Sequence, residues 1–155
     1  MRDCPYPVAE LLPHAPPAVL IDAVLDWDKG RLDARVSIHV GSRFFEAERG
    51  VPGYVGIEYM AQACGAYAGL EATSSGQPVR IGFLLGTRRY ACNRPWFRAG
   101  DELTVGVTEV LREGVMGVFD CRIELHGSEV ATARLNVYQP DDAAAAAFGG
   151  KQDSP

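Results

Sequence analysis

The fold of this chain is decided by the stretch Gly50-Val-Pro-Gly-Tyr-Val-Gly-Ile-Glu58-Tyr-Met-Ala-Gln62-Ala-Cys-Gly-Ala-Tyr-Ala-Gly69. It predicts a glycine- and proline-rich turn that leads into a helix, roughly Tyr54 to Ala72, with apolar residues on nearly every face. Two polar side chains interrupt the helix, Glu58 and Gln62, and they share one face because they are four residues apart. A helix that is apolar all round is normally buried. We therefore expect Glu58 to be buried, and to need either a partner or a chemical role.

Strand-like segments flank the predicted helix, two before it and about four after it. The later segments are separated by short turn signals, which favour antiparallel neighbours joined by hairpins. One helix cannot cover both faces of a parallel sheet, so the order predicts an α+β fold with an antiparallel sheet wrapped on the helix. The predicted strands are Ala18–Leu25, Arg31–Val40, Val79–Tyr90, Glu102–Arg112, Val115–His126 and Glu129–Tyr138.

Size and charge limit the architecture and the partners of the chain. Its 155 residues are enough for one hydrophobic core. We assign residues 1–140 to a single domain and predict that the low-complexity, alanine-rich stretch 141–155 is a disordered tail. The net charge of −5 argues against nucleic acid as a partner, because nucleic-acid binding favours a basic balance.

Cysteine spacing and hydropathy bear on metals, location and membranes. The four cysteines form no C-x-x-C pair, so no metal site is expected. Free thiols without a signal peptide at the start of the chain predict a cytoplasmic protein.

The predicted central helix is about long enough to cross a bilayer. However, Glu58, Gln62 and Glu71 would each be costly in lipid, so we expect no membrane span.

Three segments resemble one enzyme family, in the same order along the chain. They are Leu11–Asp22, Pro52–Ala63, and Phe83–Pro95 followed by Gly100-Asp101. Together, over about residues 9–138, they resemble the hot-dog-fold 3-hydroxyacyl-[acyl-carrier-protein] dehydratases of fatty-acid synthesis. Gly-Ile-Glu-Tyr-Met-Ala-Gln and the closing Arg134–Pro140 are most similar to the dehydratase-like (ApeP-like) subunit of aryl-polyene gene clusters. The resemblance implies a hot-dog fold, with about five to six antiparallel strands around one long central helix.

One loop departs from that family. The dehydratases carry a catalytic histidine in a His-Phe-Pro-Gly loop just before the helix, whereas here the loop Phe44–Pro52 contains no histidine. Dehydration of a 3-hydroxyacyl thioester needs a base for the C2 proton, an acid for the departing hydroxyl and donors for the thioester carbonyl. By position, the family's pair of catalytic groups is therefore incomplete.

Three residues around the start of the helix are candidates for the chemistry. Glu58 suits the acid, because an apolar tunnel favours the neutral carboxyl group, although the positive helix N-terminus favours the anion and a structural pairing with an arginine is the alternative. Gln62 could hold that carboxyl group or a substrate hydroxyl, or be satisfied by sheet backbone. The resemblance implies that Gly53 offers its N–H to the thioester carbonyl, which fits an unpaired amide at a helix start; a simple turn glycine is the alternative.

The chain has three histidines from which to replace the missing base. His126 lies at a predicted hairpin turn, and His39 alternates to the side opposite Ile38, so both are expected to face outward. His14 lies in a proline-rich segment that can hold a side chain firmly. We predict His14 as the base, with a structural role as the alternative, because the family also has a histidine at this position without using it as the base.

A run of arginines marks a possible docking surface. Residues 80 to 98 contain five arginines and no acidic residue. Acyl carrier proteins are strongly acidic, so we expect Arg88, Arg89 and Arg94 to dock a carrier protein at the mouth of the tunnel. A solvated strand face is the alternative.

Together these observations predict a (3R)-hydroxyacyl-thioester dehydratase, or a subunit of one, that forms a trans-2-enoyl thioester. We expect an acyl carrier protein thioester as substrate, no cofactor and no metal. Because hot-dog domains pair through their sheets, we expect a homodimer, or a heterodimer with another hot-dog subunit. Two alternatives are a non-catalytic acyl-thioester-binding subunit whose partner supplies the histidine, and an acyl thioesterase.

Overall fold

The computed structural model describes residues 19–77 and 83–139. This part of the chain contains eight strands, a single turn of 3-10 helix and one α-helix. In chain order they are β1 (Ala23–Asp28), β2 (Arg31–Ser37), β3 (Val51–Pro52), the 3-10 turn (Gly53–Val55), α1 (Gly56–Ser74), β4 (Phe83–Cys92), β5 (Trp96–Phe97), β6 (Glu102–Glu113), β7 (Met116–Leu125) and β8 (Ser128–Tyr138).

Six of the strands form one antiparallel sheet in the order β1-β2-β6-β7-β8-β4. Helix α1 packs on one face of this sheet, chiefly against β2, β6 and β7. The prediction of an antiparallel sheet of about six strands wrapped around one central helix is therefore confirmed. The edges of the sheet are β1 and β4.

Alternation along the strands explains how the sheet acquires a buried face. In β2, Leu32, Ala34 and Val36 are buried, as the two-residue period predicts. The predicted strand Arg31–Val40 ends earlier than expected, since β2 ends at Ser37 and Val40 is 79% exposed. The ladder of β2 on β6 ends with Ser37 opposite Glu102, so Val40 lies beyond the paired residues.

The helix is buried on three sides rather than all round, which corrects the expectation from its sequence. Tyr59, Met60 and Tyr67 are among its fully buried side chains. The opposite stripe is half-exposed and consists mostly of small residues, with the exposed Glu58 near its start. Its members are Ile57, Ala61, Gly65, Ala68 and Ala72. Small apolar residues are compatible with burial and with exposure alike, so composition alone did not identify this face.

Several predicted boundaries shift, and some predictions fall outside the described residues. Strand β1 begins at Ala23 instead of Ala18 and continues to Asp28, and β4 continues to Cys92, two residues beyond its predicted end. The predicted start of that strand at Val79 lies outside the described residues. The two-residue strands β3 and β5 were not predicted, because two residues carry no period. His14 and the 141–155 tail lie outside the described residues.

In the described part of the chain, no helix has the length and apolar character needed to cross a membrane.

Candidate active site

Glu58 lies in the first turn of α1 and its side chain is exposed. The expectation that it is buried is wrong for the single chain, because the sheet leaves this side of the helix uncovered. Within residues 19–77 and 83–139, Glu58 forms no hydrogen bond or ion pair. The alternative of a structural pairing with an arginine therefore finds no support in this part of the chain. Tyr54, one turn earlier, is 70% exposed on the same side.

Three glycines at a three-residue spacing determine how the chain enters the helix. A Cβ at Gly50 or Gly53 would collide with the main-chain carbonyl of Phe97 or Arg94, respectively. A Cβ at Gly56 would collide with the hydroxyl of Tyr90. The segment from Tyr90 to Phe97 therefore lies directly against the start of α1, at a distance that only glycine permits.

Both peptide groups of Gly53 are already hydrogen-bonded. Its N–H donates to the carbonyl of Pro95 at 2.9 Å, and its carbonyl accepts from the Tyr90 hydroxyl at 2.5 Å. The expectation that the Gly53 amide is unpaired is wrong. The physical reason is the two-stranded pairing of β3 with β5, which brings Pro95 over this amide. The role of this amide in binding a thioester carbonyl stays a prediction.

Two side chains of the large sheet reach Gly56 at the helix start, Tyr90 from β4 and Ile123 from β7, and Tyr90 lies nearer. It projects from the edge strand β4 and is partly buried. Burial raises the pKa of Tyr90 above its ordinary value, and the nearby Cys92 raises it further. The hydroxyl therefore stays protonated and available as a donor at neutral pH. Tyr59, one residue after Glu58, is fully buried and stacks at 6.2 Å from Phe97.

Gln62 lies one turn beyond Glu58 and is 9% exposed. Its Oε1 accepts a hydrogen bond of 2.6 Å from the backbone N–H of Leu20. This bond ties the segment before β1 to the helix, so at least this oxygen has a structural use. The interaction is with backbone, as one of the two sequence-based alternatives anticipated, and the substrate-binding role stays a prediction.

Two histidines lie in the described part of the chain, His39 and His126, and both are exposed. The Nδ1 of His39 accepts a hydrogen bond of 3.0 Å from the N–H of Gly41. His126 lies in the β7–β8 turn with a φ of 53°. Both positions agree with the expectation that these side chains face outward. His14 is outside the described residues, so its role as a base stays a prediction.

Arg88 and Arg89, two of the three arginines predicted to dock a carrier protein, line a groove of about 520 Å³ on the outer face of the sheet. Both side chains are exposed, and neither is in an ion pair within the described residues. Asp120 and Glu129 also line this outer groove, and Asp120 is paired with Arg134 at 2.8 Å. The surface is therefore mixed in charge, with two unpaired arginines at one side.

The third predicted arginine lies at a different place. Arg94 is half-buried in the segment that contacts the helix start, and its carbonyl accepts a hydrogen bond from the Cys92 thiol at 3.2 Å. Between Arg88 and Ala91 the edge strand carries a β-bulge, in which Arg89 has a φ of 57°. A bulge changes the direction of the side chains on either side of it, which separates Arg88 and Arg89 from Arg94.

Sequence reasoning missed the contact between Tyr90 and the helix start. The signal that could have revealed it is the three-residue spacing of Gly50, Gly53 and Gly56, which we interpreted as ordinary turn composition. Three evenly spaced glycines before a helix also indicate a surface pressed closely against another part of the chain.

Comparisons with known proteins identify the family of this chain. The chain matches a family model described as ApeP dehydratase (ApeP-like) over residues 6–148. It is 34% identical over 114 residues to the 3-hydroxyacyl-[acyl-carrier-protein] dehydratase FabZ of Cronobacter sakazakii, covering 70% of this chain and 74% of that one. The FabZ of Klebsiella pneumoniae is 33% identical over the same length and coverage.

One solved structure is similar over nearly the whole chain. It is described as the dehydratase heterocomplex ApeI:P from Xenorhabdus doucetiae. The TM-score is 0.86 at 30% sequence identity, and the match covers 92% of this chain and 97% of that one.

Proposed function

This chain belongs to the ApeP-like family of hot-dog dehydratases, and from that premise we propose that it is a (3R)-hydroxyacyl-[acyl-carrier-protein] dehydratase or a subunit of one. The product would be a trans-2-enoyl thioester in fatty-acid- or polyene-type biosynthesis. The observation that carries the proposal is the carboxyl group of Glu58, which is exposed and unpaired within the described residues at the first turn of the central helix.

The proposed chemistry assigns one proton transfer to Glu58. A base removes the C2 proton, the electron pair of that bond forms the C2=C3 double bond, and the C3–O bond breaks. Glu58 protonates the departing hydroxyl, which leaves as water, and is itself left as a carboxylate. The base is His14 or a histidine of another chain, and a proton returned from it to Glu58 resets the site.

For this step Glu58 has to be neutral and shielded from water. In the single chain its side chain is exposed, so nothing in the described part desolvates it. A second hot-dog subunit that covers this side of α1 would supply the desolvation that favours a neutral carboxyl group. We therefore propose a homodimer or heterodimer whose partner lies over Glu58 and Tyr54.

The sheet offers an edge for such pairing. Strand β4 has 10 residues and, among the described residues, lies at the end of the sheet with β8 as its one neighbour. Long unpaired edges readily add a strand from another chain. A partner sheet added at β4 would extend the sheet next to the segment that contacts the helix start.

A second candidate is favoured by the loop between β2 and α1. Residues 44–52 contain no histidine, and a structure to which the chain is similar is described as a heterocomplex. In this case the chain would bind acyl thioester without completing the reaction, and its partner would supply the histidine. The two candidates differ in whether Glu58 of this chain takes part in turnover.

We also propose that Arg88, Arg89 and Arg94 contact the acidic carrier protein, Arg94 from the segment that contacts the helix start. Support comes from the exposure of Arg88 and Arg89 and from the absence of an ion pair for either within the described residues.

We further propose a cytoplasmic location, which the free thiols of Cys64, Cys92 and Cys121 support.

The test is an assay of the full chain with 3-hydroxyacyl thioester, alone and with a second hot-dog protein. Enoyl formation and free thiol are followed for wild type, His14→Ala and Glu58→Ala. Glu71→Ala is the matched control, since it removes a carboxyl group from the other end of the same helix. We expect enoyl product from wild type and Glu71→Ala, and its loss in Glu58→Ala.

The outcomes separate the candidates. Loss of activity in both His14→Ala and Glu58→Ala supports a pair of catalytic groups within this chain. Turnover that requires the second protein and survives Glu58→Ala supports the non-catalytic subunit. Release of free thiol in place of enoyl product would indicate a thioesterase and overturn both.

A further inference from the structure

Of the three glycine contacts at the helix start, one is made by a side chain. Gly50 and Gly53 pack against main-chain carbonyls, whereas Gly56 packs against the hydroxyl of Tyr90. A carbonyl cannot be removed by substitution, but a hydroxyl can. Tyr90 is thus the point at which the link between β4 and α1 can be tested with the backbone intact.

The Tyr90 hydroxyl bonds to an atom that also starts the helix. The carbonyl of Gly53 accepts from Tyr90 at 2.5 Å and from the backbone N–H of Gly56, the first residue of α1. Glu58 follows two residues later in the same turn. The Gly53 carbonyl accepts one of the hydrogen bonds that begin the helix, so a change in the orientation of this peptide would shift the turn that carries Glu58.

We propose that Tyr90 is a positioning residue for Glu58: its hydroxyl, bonded to the Gly53 carbonyl, fixes the first turn of α1 in the orientation that the dehydration needs. This inference rests on the function proposed above. Tyr90 acts through the Gly53 peptide, and its own hydroxyl is occupied by that bond. The pairing of Tyr90 with Gly56 is complementary, since the hydroxyl fills the space that a Cβ at position 56 would take.

The chain offers a matched control in Tyr67, on the same helix. The Tyr67 hydroxyl accepts from the N–H of Gly30 at 2.9 Å and donates to Glu71 at 3.2 Å. It lies about two and a half turns beyond Glu58, toward the end of α1. Tyr90→Phe and Tyr67→Phe each remove a tyrosine hydroxyl that is hydrogen-bonded to backbone. The Tyr90 hydroxyl lies near the candidate site, and the Tyr67 hydroxyl lies far from it.

The kinetic test measures kcat and KM for both variants in the assembly that shows turnover. We expect Tyr90→Phe to lower kcat about tenfold, with KM within about twofold, since small displacements of a reacting group have large effects on rate. Tyr67→Phe should keep kcat within about twofold of wild type. Adding Tyr90→Phe to Glu58→Gln should cause no further loss, because Tyr90 acts through Glu58. A kcat for Tyr90→Phe equal to that of Tyr67→Phe would overturn the proposal.

A second measurement does not depend on activity. In hydrogen exchange, the Gly56 amide should exchange about tenfold faster in Tyr90→Phe than in wild type, and at the wild-type rate in Tyr67→Phe. Gly56→Ala should be less destabilising in the Tyr90→Phe background, because the hydroxyl it would strike is gone. Unchanged exchange at Gly56 would refute the link even if kcat fell. If no partner gives dehydration, the proposed function fails, and exchange still decides whether Tyr90 fixes the helix start.

Discussion

A tyrosine hydroxyl contacts each end of helix α1, but the glutamates at the two ends differ in their interactions. At the C-terminal end, Glu71 accepts from Tyr67 and is paired with Arg112, which also contacts Glu109 at 2.9 Å. At the N-terminal end, the Tyr90 hydroxyl donates a hydrogen bond to the Gly53 carbonyl, and Glu58 has no ion pair within the described residues. Both glutamates lie on one helix, so the comparison separates a carboxyl group used for structure from one left available for chemistry.

The two ends of α1 also differ in how closely neighbouring parts of the chain pack against them. The N-terminal end is pressed against a neighbouring segment, so that Gly50, Gly53 and Gly56 have no room for a Cβ. The C-terminal end is joined to its neighbours by the side chains of Glu71 and Tyr67. A tightly packed backbone sets an orientation more strictly than long side chains do, which suits the end that carries the candidate acid.

The largest expected effect on stability is at Gly53. Gly53→Ala places a methyl group against the carbonyl of Arg94, and main chain has to shift to admit it. We expect the free energy of unfolding to fall by about 2–3 kcal/mol, as for other overpacked sites. Gly86→Ala is the control, because a Cβ there meets open space, and it should change stability by less than about 0.5 kcal/mol. Equal values from urea unfolding would show that the helix start is not tightly held.

A smaller effect is expected from the two glutamates. Glu71→Gln weakens the interactions with Arg112 and Tyr67, so we expect a loss of about 0.5–1 kcal/mol, the range for partly exposed pairs. Glu58→Gln should leave the free energy of unfolding within about 0.3 kcal/mol of wild type, because no pair is lost. Urea unfolding at low salt and at 1 M salt measures both. The Glu71 effect should shrink at high salt, and an equal loss at Glu58 would contradict the comparison.

A further effect is expected on the pH dependence of stability, and it is confined to alkaline pH. Burial raises the pKa of Tyr67 to about 12, above the ordinary value of 10.0. The contribution of Tyr67 is therefore fully present below pH 10 and is lost as the pH rises toward 12, because the unfolded chain releases this proton first. Thermal unfolding from pH 9 to 11 should show a shallower decline for Tyr67→Phe than for wild type. Identical slopes would show that this hydroxyl is not buried in solution.

The order of elements could be predicted from sequence, because alternation and turn residues are local. Leu32, Ala34 and Val36 mark β2 by their period, and the turn glycines separate the later strands. The exposure of Glu58 could not be predicted in this way. It depends on which side of α1 the sheet leaves uncovered, and the small residues Ala61 and Gly65 on that side are common in buried helices as well.

The hydrogen bonds of the candidate site could not be predicted from the sequence, for a different reason. The amide of Gly53 is bonded to Pro95, which is distant in the chain and reaches it through the pairing of β3 with β5. Strands of two residues leave no pattern to detect. The resemblance to the dehydratases predicted that Gly53 and Glu58 take part in the chemistry, but it did not show that the Gly53 amide is already hydrogen-bonded.

The most direct test of the central claim compares turnover of Glu58→Gln and Glu71→Gln. Both variants replace a carboxyl group on α1 with an amide of the same shape, and both are assayed for enoyl thioester formation with the same partner protein. We predict a loss of kcat of about 100-fold or more for Glu58→Gln and less than about twofold for Glu71→Gln. Equal rates for the two variants would contradict the assignment of Glu58 as the acid of the reaction.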